Sequence, residues 1–169
     1  MSKSINHLAT ADGLFFGKDG LDRRKTEKMV DEALAGTDDG ELFLEYVQSE
    51  SLSFDDGKLK SESFDTSQGF GLRSVAGDVT GFAHASALDE QALKRAAETV
   101  RTVRSGRGGT SDESPRGTNR LLYADDNPID GVPFAQKVAL MQEIDAYVRG
   151  KEPKARQVSV SLSGSWQVV

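Results

Sequence analysis

No cysteine occurs among the 169 residues, so the chain can build neither a disulfide framework nor a thiolate metal site, and its composition suits a reducing cytoplasm. Histidine is nearly as scarce. His7 and His84 are the only two, and any zinc or general-base scheme would have to use one of them. No stretch approaches the ~20 consecutive apolar residues of a membrane-spanning helix, and the segment from Met1 to His7 lacks the apolar core of a secretory signal. A basic excess is missing too: 21 lysines and arginines against 27 acids leave a formal net charge of -6. Direct nucleic-acid binding, which needs a dense basic face to release phosphate counterions, is therefore not expected, and neither is a membrane partner.

What is present describes a globular chain with many turns: 37% apolar residues, 28% charged residues and 17 glycines. Leu21, Met29, Val30, Ala33 and Leu34 fall on one side of a helical wheel, which predicts an amphipathic helix over 21–35 closed by Gly36. From Glu41 to Asp55 the period becomes two, with Leu42, Leu44, Tyr46, Leu52 and Phe54 on one face and Glu45, Ser49, Ser51 and Ser53 on the other. Asp56-Gly57 then signals a two-residue hairpin, because a type I′ turn needs positive φ at both central positions. Further reversals are expected at Ser67-Gln68 and at Gly77-Asp78, giving four consecutive antiparallel strands.

Ser86-Ala87-Leu88-Asp89 reads as a capping box before a helix that carries Leu88, Ala92, Leu93, Ala96, Ala97, Val100 and Val103 at helical spacing. Residues 105–119, rich in Gly, Ser, Thr and Arg, bury too little apolar area to repay their ordering entropy and are expected to form a mobile loop. A third helix over 134–149 should bury Phe134, Val138, Met141, Ile144 and Val148, with Gly150 ending it. The last stretch, Gln157 to Val169, alternates as a half-buried strand and stops without turn, cap or polar tail, so the chain is expected to be a fragment whose reactive groups lie downstream. Grouped strands favour an α+β fold, an antiparallel β-meander packed with amphipathic helices and followed by the first strand of a truncated second domain. The expected organisation is an N-terminal arm at 1–20, an α+β domain at 21–104, a linker at 105–132, and a helix with the start of a middle domain at 133–169.

Each candidate for chemistry has a plainer reading. His84 pairs with Gly71 across the Gly77-Asp78 turn and shares a face with Arg73, Val75, Thr80 and Phe82, without a second histidine or a carboxylate. Gly69-Phe70-Gly71-Leu72-Arg73-Ser74 imitates a dinucleotide fingerprint, but it sits in a strand and offers phosphates no helix N-terminus, so Phe70 and Leu72 are expected in the core. Asp125-Asp126-Asn127-Pro128-Ile129-Asp130-Gly131 fails as a calcium loop because Pro128 and Lys137 would stand at ligand positions, which leaves an acidic turn. The cluster Arg101, Arg104, Arg107, Arg116 and Arg120 reads as solvated loop charge. No G-x-S-x-G nucleophile turn occurs. No catalytic, cofactor-binding or metal-ligating residue is assigned to these positions.

Four blocks, Glu41-Leu42-Phe43-Leu44-Glu45-Tyr46, Asp56-Gly57-Lys58-Leu59-Lys60, Gln68-Gly69-Phe70-Gly71-Leu72-Arg73 and Gly77-Asp78-Val79-Thr80-Gly81-Phe82-Ala83, together with the following helix, resemble the N-terminal domain of the TldD/PmbA family, on its TldD side. Val158-Ser159-Val160-Ser161-Leu162-Ser163-Gly164 resembles the opening strand of that family's middle domain. The resemblance implies a cytoplasmic zinc metallopeptidase that cleaves unfolded peptides as a dimer with a homologous TldD/PmbA-type subunit. It also implies that the zinc is held by a His-Glu-x-x-x-His motif in a later domain, and no such motif occurs here. This segment would then be non-catalytic, shielding the active-site chamber, supporting dimerisation or contacting peptide. The alternative is a stand-alone binding module acting on a DNA-associated enzyme, as the family's older name, modulator of DNA gyrase, implies.

Overall fold

The computed structural model describes residues 7–102 and 127–169, and for residues 7–9 the backbone alone. Its elements run α1 (His7–Phe15), α2 (Arg23–Leu34), β1 (Asp39–Asp55), β2 (Lys58–Ala76), β3 (Val79–Ala85), α3 (Glu90–Val100), α4 (Pro128–Gly131), α5 (Phe134–Lys151) and β4 (Ser159–Val168). The strands form one antiparallel sheet in the order β3-β2-β1-β4, an α+β fold as expected. The described residues divide into two compact units, one within 7–46, 68–102 and 168–169 and the other within 47–67 and 127–167.

In the first unit, α2 and α3 pack on β1, β2 and β3 through Ala33, Phe70, Leu72, Ala92, Leu93, Ala96, Ala97 and Val100, with Met29, Val30, Leu42 and Leu44 half-buried around them. The helical stripe of α3 is thus the one its spacing predicts, but its cap differs. Asp89, not Ser86, is the N-cap residue, and its carboxylate accepts from the Ala92 N–H at 2.7 Å. Ser86 lies three residues before that cap, where it has no first-turn N–H to meet. At the other end, the fully buried Ser74 hydroxyl donates to the Val100 carbonyl at 3.1 Å, partnering a carbonyl that the helix itself leaves orphaned. Gly36 closes α2 with φ of 82°, and the Gly77 turn sets Arg73 opposite Phe82 and Gly71 opposite His84.

The second unit contains the tip of the β1–β2 hairpin, α4, α5 and β4. Asp56 and Gly57 both take positive φ, 48° and 75°, as a type I′ turn demands. Leu52, Phe54 and Met141 form the core, with Val138, Val160 and Leu162 packed around them. β4 alternates exposed and half-buried residues along its length, as a one-sided strand must.

Two further expectations fail. No reversal occurs at Ser67-Gln68; β2 runs unbroken for 19 residues. The run Ser61 to Gln68, polar apart from Phe64, resembles a turn in composition, but it contains no glycine or proline to bend the chain. The second failure is in α5, where Met141 is buried and Val138 and Val148 half-buried as expected, but Phe134 and Ile144 are exposed and Lys137 and Asp145 are buried in their stead. Lys137 and Asp145 stand four residues either side of Met141 and so share its inward face. α5 also continues past Gly150 to Lys151.

Candidate functional site

A groove of about 590 Å³ lies in the second unit. Its walls are β1 and β2 residues near the hairpin tip and the α4–α5 corner. The corner is fixed locally. Asn127 caps α4, accepting from the Ile129 N–H at 3.0 Å while its own amide donates to Asp130 at 3.0 Å, and Pro128 occupies the first turn, where its missing N–H costs nothing. Ile129 is thereby buried, and Val132 and Pro133 lead directly into α5.

The floor of the groove is an ion pair. The Lys137 ammonium donates to both Glu50 oxygens, at 2.6 and 2.7 Å, and to the Ile129 carbonyl at 2.8 Å. Its side chain is 8% exposed and that of Glu50 14%, so the pair is nearly out of solvent. Three acceptors exhaust the three N–H bonds of a lysine. Gly164 on β4 leaves space beside this pair, since a Cβ there would come within 3.4 Å of a Glu50 oxygen. Around the floor, Phe64, Phe134 and Val132 expose 56%, 50% and 44% of their surface at the rim, where the carboxyl groups of Glu62 and Asp130 also stand.

The hairpin turn beneath α5 is strongly tied. Asp55 accepts from Gln157 at 3.0 Å and from the Ser159 hydroxyl at 2.7 Å, and these two hydrogen bonds, the first foremost, hold its carboxyl below the usual carboxylate range. Asp56 accepts from the Val158 N–H at 3.1 Å and from Arg149, which also donates to the buried Asp145 at 3.0 Å. The Asp145 and then Asp56 carboxylates hold the Arg149 guanidinium above its usual range.

The residues singled out by sequence lie elsewhere. His84 is exposed on β3 and stacks on Phe82 with ring centroids 5.7 Å apart. Carboxylates do reach the Arg73 neighbourhood, contrary to expectation: Glu41 and Asp39 each bind Arg73 at 2.9 Å, because β1 runs beside β2 there. Phe70 and Leu72 are in the core, and Gly69 and Gly71 lie within β2 rather than before a helix. Arg101 pairs with Glu32 at 3.3 Å. His7 begins α1, its side chain outside the described residues, and the same holds for residues 104–120 with their arginines, for the expected loop and for Asp125 and Asp126. Among the described residues no group of three or more His, Asp or Glu side chains is placed to hold a metal ion. No described helix is long and apolar enough to cross a membrane.

Glu50, Lys137 and the aromatic rim were missed in the sequence. The available signal was a lysine on the predicted inward face of α5, which has to find an acid if it is buried there.

Residues 40–103 match the family described as PmbA/TldA metallopeptidase domain 1. The chain is 31% identical over 136 residues to a metalloprotease TldD homolog of Haemophilus influenzae, an alignment covering 78% of this chain and 28% of that protein. A metalloprotease TldD homolog of Buchnera aphidicola subsp. Schizaphis graminum is 24% identical over 133 residues, with the same coverage of each chain. The chain thus spans 28% of the length of these curated relatives. Among solved structures, a Bacteroides thetaiotaomicron protein described as a candidate modulator of DNA gyrase superposes with a TM-score of 0.60 at 17% identity, over 86% of this chain and 35% of that one. TldE from Thermococcus kodakarensis superposes with a TM-score of 0.50 at 15% identity, over 85% and 33%. At these identities the structures establish a shared fold.

Proposed function

The chain belongs to the TldD/PmbA family, whose N-terminal region it carries, and from that premise we propose that the protein containing it is a TldD-like zinc metallopeptidase acting on unfolded peptides. The observation that carries this reading is the 31% identity over 136 residues to a protein named as a metalloprotease. Zinc would be held by residues outside the described positions and would supply a Lewis acid and an activated water.

In this reading residues 1–169 make no bond-breaking contribution, and their part is to contact peptide. The groove at the hairpin tip favours that role over bare shielding, because a wall needs no aromatic rim around a sealed ion pair. A cytoplasmic location and a homologous TldD/PmbA-type partner subunit complete the proposal, together with the organisation into an arm, an N-terminal domain, a linker and the start of a middle domain.

The test is hydrolysis of an unfolded protein such as β-casein by the protein encoded by the entire reading frame, with and without a TldE-type partner. Cleavage that a chelator abolishes and zinc restores, and that residues 1–169 alone do not perform, is the expected result. Chelator-insensitive cleavage, or none with either subunit composition, would refute it.

A further inference from the structure

We propose that the groove at the hairpin tip is a binding site for peptide segments that place a lysine or arginine next to an apolar side chain. Lys137 has spent all three donors on Glu50 and Ile129, so it offers nothing to a ligand, and it neutralises Glu50. What remains is negative. Among the described residues Glu62 enters no hydrogen bond or ion pair and Asp130 is met only by the neutral amide of Asn127, so within them two carboxylates stand uncompensated at the mouth.

Between them the rim presents Phe64 and Phe134, each at least half exposed, which is apolar area that a ligand would remove from water. Aromatic faces next to carboxylates suit a side chain with an apolar stem and a cationic head, and both lysine and arginine have one. An acidic segment would bring like charge to both carboxylates and is rejected by the same count. The volume of about 590 Å³ is that of an ordinary ligand cleft, too small for a folded domain.

This assignment deepens the peptide-contact reading given above, but its test reads binding and is independent of hydrolysis. The chain of residues 1–169 is titrated with acetyl-Leu-Lys-Phe-Leu-amide and with its counterpart in which glutamate replaces the lysine, following amide chemical shifts. The lysine peptide is expected to bind about tenfold more tightly than the glutamate peptide, with shifts confined to the groove and with affinity falling as salt is raised. Glu62→Lys should erase that preference and Phe134→Ala should weaken both peptides. Both replaced side chains are solvent-exposed, so the variants are expected to keep the fold, which unchanged circular dichroism verifies.

Equal affinity for the two peptides, or shifts centred outside the groove, would overturn the proposal. So would self-association that Phe134→Ala abolishes while neither peptide binds, since the groove would then belong to a second copy of the chain. If β-casein cleavage fails while the lysine preference holds, the peptidase reading falls and the site stands.

Discussion

Separating Lys137 from Glu50 should be the most damaging surface-to-core polar change available in the second unit. Lys137→Met leaves the Glu50 carboxylate 14% exposed with no counter-ion and strips the Ile129 carbonyl of its partner. An uncompensated buried charge of this kind costs about 3–5 kcal/mol, and the apolar methionine stem recovers part of it, for a net loss of roughly 2–4 kcal/mol. Glu50→Leu should cost somewhat less, because the long lysine stem can carry its ammonium toward water. Replacing both residues removes both charges, so the double variant should lie within about 1 kcal/mol of the parent, giving a coupling energy of roughly 3–6 kcal/mol. Trp166, the only tryptophan, lies on β4 in the same unit, and its fluorescence during urea unfolding reports on this unit without assuming that the whole chain unfolds in one step. With a slope of about 2 kcal/mol per molar urea, each single change should lower the midpoint by roughly 1–2 M. Single variants that shift it by less than about 0.25 M, or a double variant as unstable as the singles combined, would refute the argument that this pair is a desolvated, mutually dependent unit.

Leu72→Ala should cost about 2–5 kcal/mol by emptying a fully buried site among β2, α2 and α3, measured by chemical denaturation followed by circular dichroism. Asp89→Ala removes the α3 cap and should cost about 1 kcal/mol, whereas Ser86→Ala, outside the helix, should change stability by less than about 0.5 kcal/mol. Asp55 has its carboxyl pKa depressed, so its contribution is fully present above the unfolded carboxylate pKa and is lost as pH falls through the lower folded value; Asp55→Asn should therefore flatten the acid limb of a stability–pH profile and leave its neutral limb parallel to the parent's. Gly69→Ala would press a Cβ to within 2.8 Å of the Ala85 carbonyl, and the backbone shift should cost about 1–3 kcal/mol in the same denaturation assay.

The first unit was largely legible. α3 puts Ala92, Leu93, Ala96, Ala97 and Val100 at helical spacing with nothing polar among them, so periodicity alone orients the helix, and Asp56-Gly57 and Gly77 mark turns whose φ values few other residues accept. The second unit resisted because its inward face mixes Met141 with Lys137 and Asp145, and what allows their burial is a glutamate 87 positions away in the chain and an arginine one helical turn on. A pattern read within one window cannot see such partners. The same limit explains β2: the polar run from Ser61 to Gln68 is locally turn-like, and only its pairing in the sheet keeps it extended. The groove inherits this blindness, since Glu62, Phe64, Asp130 and Phe134 are unremarkable where they stand and acquire a shared environment through the hairpin and the α4–α5 corner. By contrast, the family resemblance lay in the turn and strand blocks of 41–83, which fall inside the region that matches the family.

The proposal that the protein containing this chain is a zinc peptidase is tested most directly by the intact mass and metal content of the native protein purified from its source cells. A mass several times the 18.3 kDa of these residues, with about one zinc ion per chain, is the predicted result. A native mass of 18.3 kDa without stoichiometric metal would contradict it.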